Sequence, residues 1–508
     1  MECQRRVVAG IFSARGCDAL RQWCKNNPEN AQSAYVVGER QVSILQELAF
    51  LHAPERLEGR AFGKEEDFSV LTDALLIVTD VIHEYEGVAN EDMIAIGAHN
   101  HATFNDAVSY RSFSRAVEFY EIGRMEKSSE VSHYEKLFIA ETGCVFDDFV
   151  LGGVCFAMHQ ERENPEQIHE GWHAVRAPEQ CMNPKEREIV QAYVNSRCGT
   201  VEQIRSAIRT FEKDRLPRDF NLIALARYPI VNFKGRLYVL SPNAVGRGLF
   251  DGPRHIVTTA ALKRGDDELK RVGGAYGQVF QSYILAALHG KFGDRLIVIP
   301  NETHPNHADC MLLFQNSVVV IEIKSEHFVS KEHSTLLTRK QRIEQIRDTG
   351  IGKSINQIAA TIDSLRKGEF TKTLNVPRYD WTITTVVPLV FADEEFPMFP
   401  LFWEALYQEM EKPLSDFNNG AERVTKLRIM SHDELDLLED LAAGKDLGEV
   451  LILWANDPKG YDLTFKNFLL AQNFSIGITV RVQKICEAFK ILATRLGLNL
   501  DERTALKN

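Results

Sequence analysis

The chain reads as a multidomain α/β protein with helical flanks, and three observations predict this class. Apolar residues recur at helical spacing through roughly the first 225 residues and again beyond Phe396. Between these regions, short β-favouring runs alternate with two helical patterns. The 508 residues, 44% hydrophobic and 26% charged, suffice for about three domains, each burying its own core. The expected divisions are 1–225, mainly helical; 226–395, a β-hairpin followed by an α/β unit; and 396–508, helical.

Each element has a local reason. In the first region Val42, Leu45, Leu48 and Leu51, then Leu71, Leu75, Ile77 and Val81, form amphipathic stripes, and the run from Glu141 to Ala157 reads as a capped, buried helix. From Tyr228 to Leu249, YPIVNF, Lys-Gly and RLYVL predict a hairpin. The helix VGGAYGQVFQSYILAALHG aligns Val279, Phe280, Tyr283, Ile284, Ala287 and Leu288 on one stripe and stops near Gly290. Strands follow at RLIVIP (295–300), DCMLLF (309–314) and SVVVIEIKS (317–325), then a helix in which Ile355, Ile358, Ile362 and Leu365 recur, then TITTVVPLVF (382–391). Pro388 lacks an N–H and is expected to break that last strand or place it at an edge. FWEALYQEM, DELDLLEDLAAG, FKNFLLAQNF and RVQKICEAFKILATRL make the last region helical.

Composition bounds function. The nine cysteines are scattered, odd in number and contain no Cys-x-x-Cys pair, which excludes a disulfide framework and a cysteine zinc site. The apolar stretch in MECQRRVVAGIFSARG is too short for a secretion signal, and no run approaches the ~20 apolar residues of a membrane span. A soluble, cytoplasmic protein with no membrane partner is expected. The net charge of −12 argues against a nucleic-acid partner until it is divided: residues 1–230 carry −11, 231–392 carry +6 and 393–508 carry −7. The middle region is therefore basic, and the acidic flanks read as restraint or partner surfaces.

That middle region also carries the chemistry. Asp309 opens one strand, Glu322-Ile323-Lys324 closes the next, and Gln315-Asn316-Ser317 turns between them. A hairpin folded about Asn316 sets Asp309 opposite Ile323, with Glu322 and Lys324 sharing a face with Val318 and Val320. Two carboxylates and an ammonium at the end of an apolar hairpin are costly to bury unless they pair or hold an ion. Asp309, Glu322 and the Ile323 carbonyl suit Mg²⁺ or Mn²⁺ as hard oxygen ligands, and Lys324 suits an attacking water and a phosphate. The chemistry indicated is metal-assisted phosphodiester hydrolysis.

The order helix, strand, strand with Asp, strand with Glu-x-Lys, helix, strand resembles the PD-(D/E)XK nuclease superfamily, over Gly273 to Phe391. The resemblance implies a restriction-endonuclease-like αβββαβ core, with Asp309 as the motif aspartate, Glu322 as the acidic ligand, Lys324 as the catalytic lysine and Gln357 as a polar residue beside the site. Two positions depart: Ala308 replaces the proline before Asp309, and Gln281, in the Gly277-to-Gln281 stretch, stands where many members carry a glutamate, which puts a second metal in question. The implied activity is an Mg²⁺- or Mn²⁺-dependent nuclease acting on DNA more readily than RNA. A role in microbial restriction or antiviral defence is analogy at the level of fold. Lys263, Arg264, Lys270, Arg271, Lys331, Arg339, Lys340 and Arg342 would track the phosphate backbone, and the helical flanks would supply recognition, homo-oligomer contacts or partner docking.

Two other readings stand beside it. His169-Glu170-Gly171-Trp172-His173 matches the His-Glu-x-x-His pattern of a zinc metalloprotease, although Gly171 and the flanking Pro165 and Pro178 disfavour the helix it needs. A catalytically silent nucleic-acid-binding or scaffold protein that keeps the nuclease fold is the other, motivated by Gln281. Gly350-Ile351-Gly352-Lys353-Ser354 resembles the end of a phosphate loop but has Arg347 where that motif needs glycine, so it reads as a turn leading into the helix of Gln357. His99-Asn100-His101 is too compact for the nuclease motif those letters spell.

Overall fold

The computed structural model describes residues 110–125, 128–161, 184–212, 227–233, 236–239, 245, 248–325, 350–393, 412–415, 417, 423–441, 446–457, 464–474 and 479–495. The leucine stripes before residue 82, the His99 and His169 motifs and the FWEALYQEM run lie outside the described residues. The N-terminal part is α1 (Tyr110–Met125), α2 (Ser129–Thr142), α3 (Phe146–Glu161), α4 (Pro184–Arg197), β1 (Cys198–Thr200) and α5 (Val201–Glu212). The single helix expected over 141–157 is instead a junction. Gly143 ends α2 in the left-handed conformation at φ 74°, and α3 then starts with Asp147 and Asp148 in its first turn.

The expected hairpin is β2 (Ile230–Phe233) and β3 (Arg236–Val239), antiparallel, with β1 added in parallel to make a small three-stranded sheet. Then come α6 (Asp251–Leu262), α7 (Asp266–Phe292), β4 (Leu296–Val298), β5 (Cys310–Leu313), β6 (Ser317–Lys324), α8 (Gly350–Arg366), α9 (Glu369–Thr373) and β7 (Thr385–Ala392). From α7 the order is helix, three strands, the long helix α8, the short helix α9, and a strand. Helix α7 starts six residues before Val272, where the expected helix began, with Asp266, Asp267 and Glu268 in the first turn where the helix dipole favours anions.

Among the described residues the main sheet has six strands: β4, β5, β6 and β7 in sequence order, with β8 (Arg423–Val424) and β9 (Arg428–Ser431) both beside β7. Pairing is antiparallel from β4 to β6 and parallel from β6 onward, a mixed sheet. Two expectations are corrected here. The C-terminal region is not purely helical, because β8 and β9 are too short to announce themselves by alternation. Pro388 neither breaks β7 nor puts it at an edge: β8 pairs with Thr385 and Val386, β9 with Leu389 to Ala392, and Pro388 falls in the gap between. The Val386 carbonyl faces the β8 side, accepting from Thr425 N–H. Two residues on, Pro388 faces the same side, where no partner requires its missing N–H.

Strands β6 and β7 are buried on both faces, which explains why they read as continuous apolar runs. One face, with Leu312, Val319, Ile321 and Leu389, packs into a large core shared with α1 to α4, α6, α7 and the helices α10 (His432–Asp440), α11 (Leu447–Asn456), α12 (Phe465–Ala471) and α13 (Thr479–Arg495). The other face, with Met311, Val318, Val320 and Val390, packs on Ile355, Ile358 and Ile362 of α8. Part of the acidic flank turns inward. Glu434, Asp436, Glu439 and Asp440 of α10 are buried, Asp436 pairs with Arg115 at 2.7 Å and Glu439 with Lys484 at 2.9 Å. These acids join α1 to the C-terminal helices and are not a partner surface.

Candidate active site

The β5–β6 hairpin closes in two residues, Gln315 and Asn316, with Phe314 N–H donating to the Ser317 carbonyl at 2.9 Å. The register is therefore one residue off the expected one. Cys310 pairs with Ile321, and the next step of the ladder sets Asp309 across from Glu322 rather than Ile323. Ile323 still enters the site, because its N–H donates to Asp309 Oδ2 at 2.7 Å. On the other oxygen, Gln281 Nε2 of α7 donates to Asp309 Oδ1 at 2.6 Å.

Glu322 and Lys324 share the α8 face with Val318 and Val320, as expected. The Lys324 ammonium forms an ion pair with Glu322 Oε1 and donates to Gln357 Oε1 at 3.1 Å. Gln357 Nε2 in turn donates to the His307 carbonyl at 3.2 Å. All five expected side chains, Asp309, Glu322, Lys324, Gln357 and Gln281, thus belong to one connected group.

A stripe on α8 holds the chain that delivers Asp309. Gln357, Thr361 and Ser364 fall on one side of the helix: Thr361 Oγ1 accepts from Ala308 N–H at 2.7 Å, and the Ser364 hydroxyl lies 3.0 Å from His307 Nε2. Before them, Asn306 adopts φ 68°, a conformation that asparagine tolerates better than most residues and that ends the turn from Pro300. On α7, Gly277 precedes Gln281 by one turn and lets the helix approach the end of β6: a Cβ there would lie 3.1 Å from Ser325 Oγ.

The electrostatics are unbalanced. Glu322 is fully buried, and against its charge stand the Lys324 ammonium and the Asp309 backbone N–H. Burial, and next the charge of Asp309, push its carboxyl up to about 8 against the pull of Lys324. Burial also raises Asp309, opposed by the Ile323 N–H, Lys324 and Gln281. Two facing carboxylates with one ammonium leave oxygen lone pairs in a dry place, a donor set that suits a hard divalent cation. Among the described residues no three His, Cys, Asp or Glu side chains gather at one point.

The expected basic track is described only in part. Lys263, Arg264, Lys270 and Arg271 are exposed around the α6–α7 junction, where Arg271 pairs with Glu130 and Arg264 lies 3.8 Å from Glu268; Lys331, Arg339, Lys340 and Arg342 lie outside the described residues. The Gly350-to-Ser354 segment is the first turn of α8 itself and not a turn before it, with Ser354 Oγ donating to the Gly350 carbonyl at 2.7 Å. No helix among the described residues is long and apolar enough to cross a membrane. No family model, no curated protein and no solved structure matches the chain.

Sequence reasoning missed Thr361, Arg254, Asp393 and His432, which bond backbone at or next to the site, and Tyr276, which bonds the Asp393 side chain. Thr361 carried a usable signal, four residues after Gln357 on the same helix face. The others come from four separate elements and had none.

Proposed function

We propose that this chain is a metal-dependent nuclease that hydrolyses phosphodiester bonds, DNA more readily than RNA, with a restriction-endonuclease-like core formed by α7, β4, β5, β6, α8 and β7. The observation that carries this reading is the buried Glu322 carboxylate, which faces Asp309 and has the Lys324 ammonium as the one cation against its charge among the described residues. Asp309, Glu322 and the Ile323 carbonyl would hold one Mg²⁺ or Mn²⁺, with water completing the shell. Bound there, the ion would lower the pKa of a coordinated water and offset negative charge on the phosphate.

The protein's own residues do the rest. Gln281 and the Ile323 N–H fix the Asp309 carboxylate from two sides, so it need not reorganise on binding. Lys324, held by Gln357, presents a cation beside the acidic pair, where it can orient an attacking water and stabilise the pentacovalent phosphate. Gln281 adds no negative charge, which favours a single ion. The antiviral role rests on fold-level analogy and adds no chemistry.

Incubation with plasmid, linear DNA and RNA in Mg²⁺ or Mn²⁺ tests the reading. Cleavage by the wild type that is lost in Asp309→Ala, Glu322→Ala and Lys324→Ala supports it. Equal cleavage by all four proteins removes it, and salt-dependent binding without cleavage under any divalent ion assigns the fold to a silent binding protein instead.

A further inference from the structure

A second buried polar group lies at the end of β6, on residues that the proposed chemistry does not use. Arg254 of α6 sends Nη2 to the Ser325 carbonyl at 2.8 Å and pairs through Nη1 with Asp393 Oδ2. Its guanidinium carbon lies 4.1 Å from the centre of the Tyr276 ring, and the Tyr276 hydroxyl is 3.1 Å from Asp393 Oδ2. The Asp393 N–H donates to the Lys324 carbonyl at 3.2 Å, while its own carbonyl is met by His432 Nδ1. Lys324 and Ser325, at the end of β6, are therefore held from α6 and from the residue that follows β7.

Stability alone does not account for this arrangement. A buried ion pair can usually be replaced by apolar side chains of similar size without loss, and here the Asp393 and Arg254 side chains are 1% and 13% exposed. What an apolar pair lacks is direction. A planar guanidinium can hold a carboxylate and a carbonyl at once in fixed geometry; here the carbonyl is that of Ser325, next to the lysine of the candidate site, and the carboxylate is that of Asp393, whose own N–H holds the Lys324 carbonyl. Lysine has a flexible four-carbon stem, so where its ammonium lies depends on how firmly its backbone is placed.

We propose that Arg254 and Asp393 are positioning residues for Lys324: their ion pair fixes the end of β6 and thereby sets the Lys324 ammonium between Glu322 and Gln357. The consequence for catalysis rests on the nuclease reading; the placement of Lys324 is measurable without it.

The test compares the wild type with Arg254→Lys and Asp393→Asn in the full chain. Arg254→Lys keeps the charge but loses the planar fork that sets both partners in fixed geometry, and Asp393→Asn provides an independent second variant should the first not fold. One arm follows acetylation of Lys324 by mass spectrometry, relative to the exposed Lys353 of α8. The other measures kcat and KM for metal-dependent cleavage. The expected result is Lys324 labelling raised several-fold over Lys353, with kcat lowered about 10- to 100-fold, the range that misplacing a reacting group produces, and KM within about twofold. Wild-type Lys324 labelling in folded variants overturns the proposal, as does unchanged kcat where labelling has risen. If the wild type cleaves nothing, the nuclease reading fails on that arm while the labelling arm still decides the placement.

Discussion

The Ile323 N–H donates to Asp309 Oδ2 at 2.7 Å, so the strand that carries Glu322 and Lys324 also holds the opposite carboxylate. Asp309 is thereby set by backbone on one side and by Gln281 on the other. Asp309→Asn is expected to keep this shape, its oxygen accepting from the Ile323 N–H and its amide donating to a Gln281 whose amide has turned, with a melting temperature close to the wild type's because burial already disfavours the charge. The same variant loses Mn²⁺ binding by calorimetry, since the carboxylate charge and not the shape is what the ion requires.

Glu322 makes apo-protein stability fall as pH rises. Its carboxyl ionises at about 8 in the folded chain against an ordinary 4.5, so between those values the folded state holds a proton that the unfolded state has released. Stability is then fully present below about 4.5 and is lost progressively towards 8. In EDTA the wild-type melting temperature should decline across this window, and Glu322→Gln should flatten the decline. Equal slopes for the two proteins would contradict the assignment.

Divalent ions should act in the opposite sense. Binding to the folded state alone stabilises by about 2.7 kcal/mol at a hundred times Kd, and because the ion displaces a proton its effect grows with pH. Thermal shifts with Mn²⁺ should be larger at pH 8 than at pH 6, and absent in Asp309→Ala.

Gln281→Glu would add a third carboxylate within hydrogen-bonding distance of Asp309, where the amide now donates at 2.6 Å. The apo protein should lose about 1–3 kcal/mol in urea unfolding, the cost of breaking a buried hydrogen bond and opposing like charges. Mg²⁺ should restore most of that loss. An apo protein as stable as the wild type would show that Gln281 does not face the acidic pair.

Thr361→Val preserves shape but leaves the buried Ala308 N–H without its 2.7 Å acceptor. An unsatisfied buried donor costs about 1–3 kcal/mol, readable by urea unfolding. Cleavage should fall as well, because Ala308 immediately precedes Asp309.

The site was more legible than the sheet that carries it. Alternation in Glu322-Ile323-Lys324 sufficed to place Glu322 and Lys324 on one face, and the stripe Ile355, Ile358, Ile362 and Leu365 announced the helix, while Gln357 was pointed to by the family resemblance alone. The partner of Asp309 was misread by one residue because a hairpin register depends on whether the turn has two or three residues, and Gln315-Asn316-Ser317 permits either. Pro388 misled for a different reason. Whether a strand tolerates proline depends on what lies beside it, and here two short strands, 423–424 and 428–431, leave a gap at that position. Arg254 and Asp393 are 139 residues apart, and no local pattern could have joined them.

One titration tests the central claim most directly: Mn²⁺ binding followed by electron paramagnetic resonance, beside cleavage of a labelled DNA duplex in the same samples. The account predicts one ion per chain, cleavage that rises with its occupancy, and loss of both in Asp309→Ala and Glu322→Ala. Mn²⁺ bound equally by those variants, or a saturated wild type that leaves the duplex intact, would contradict it.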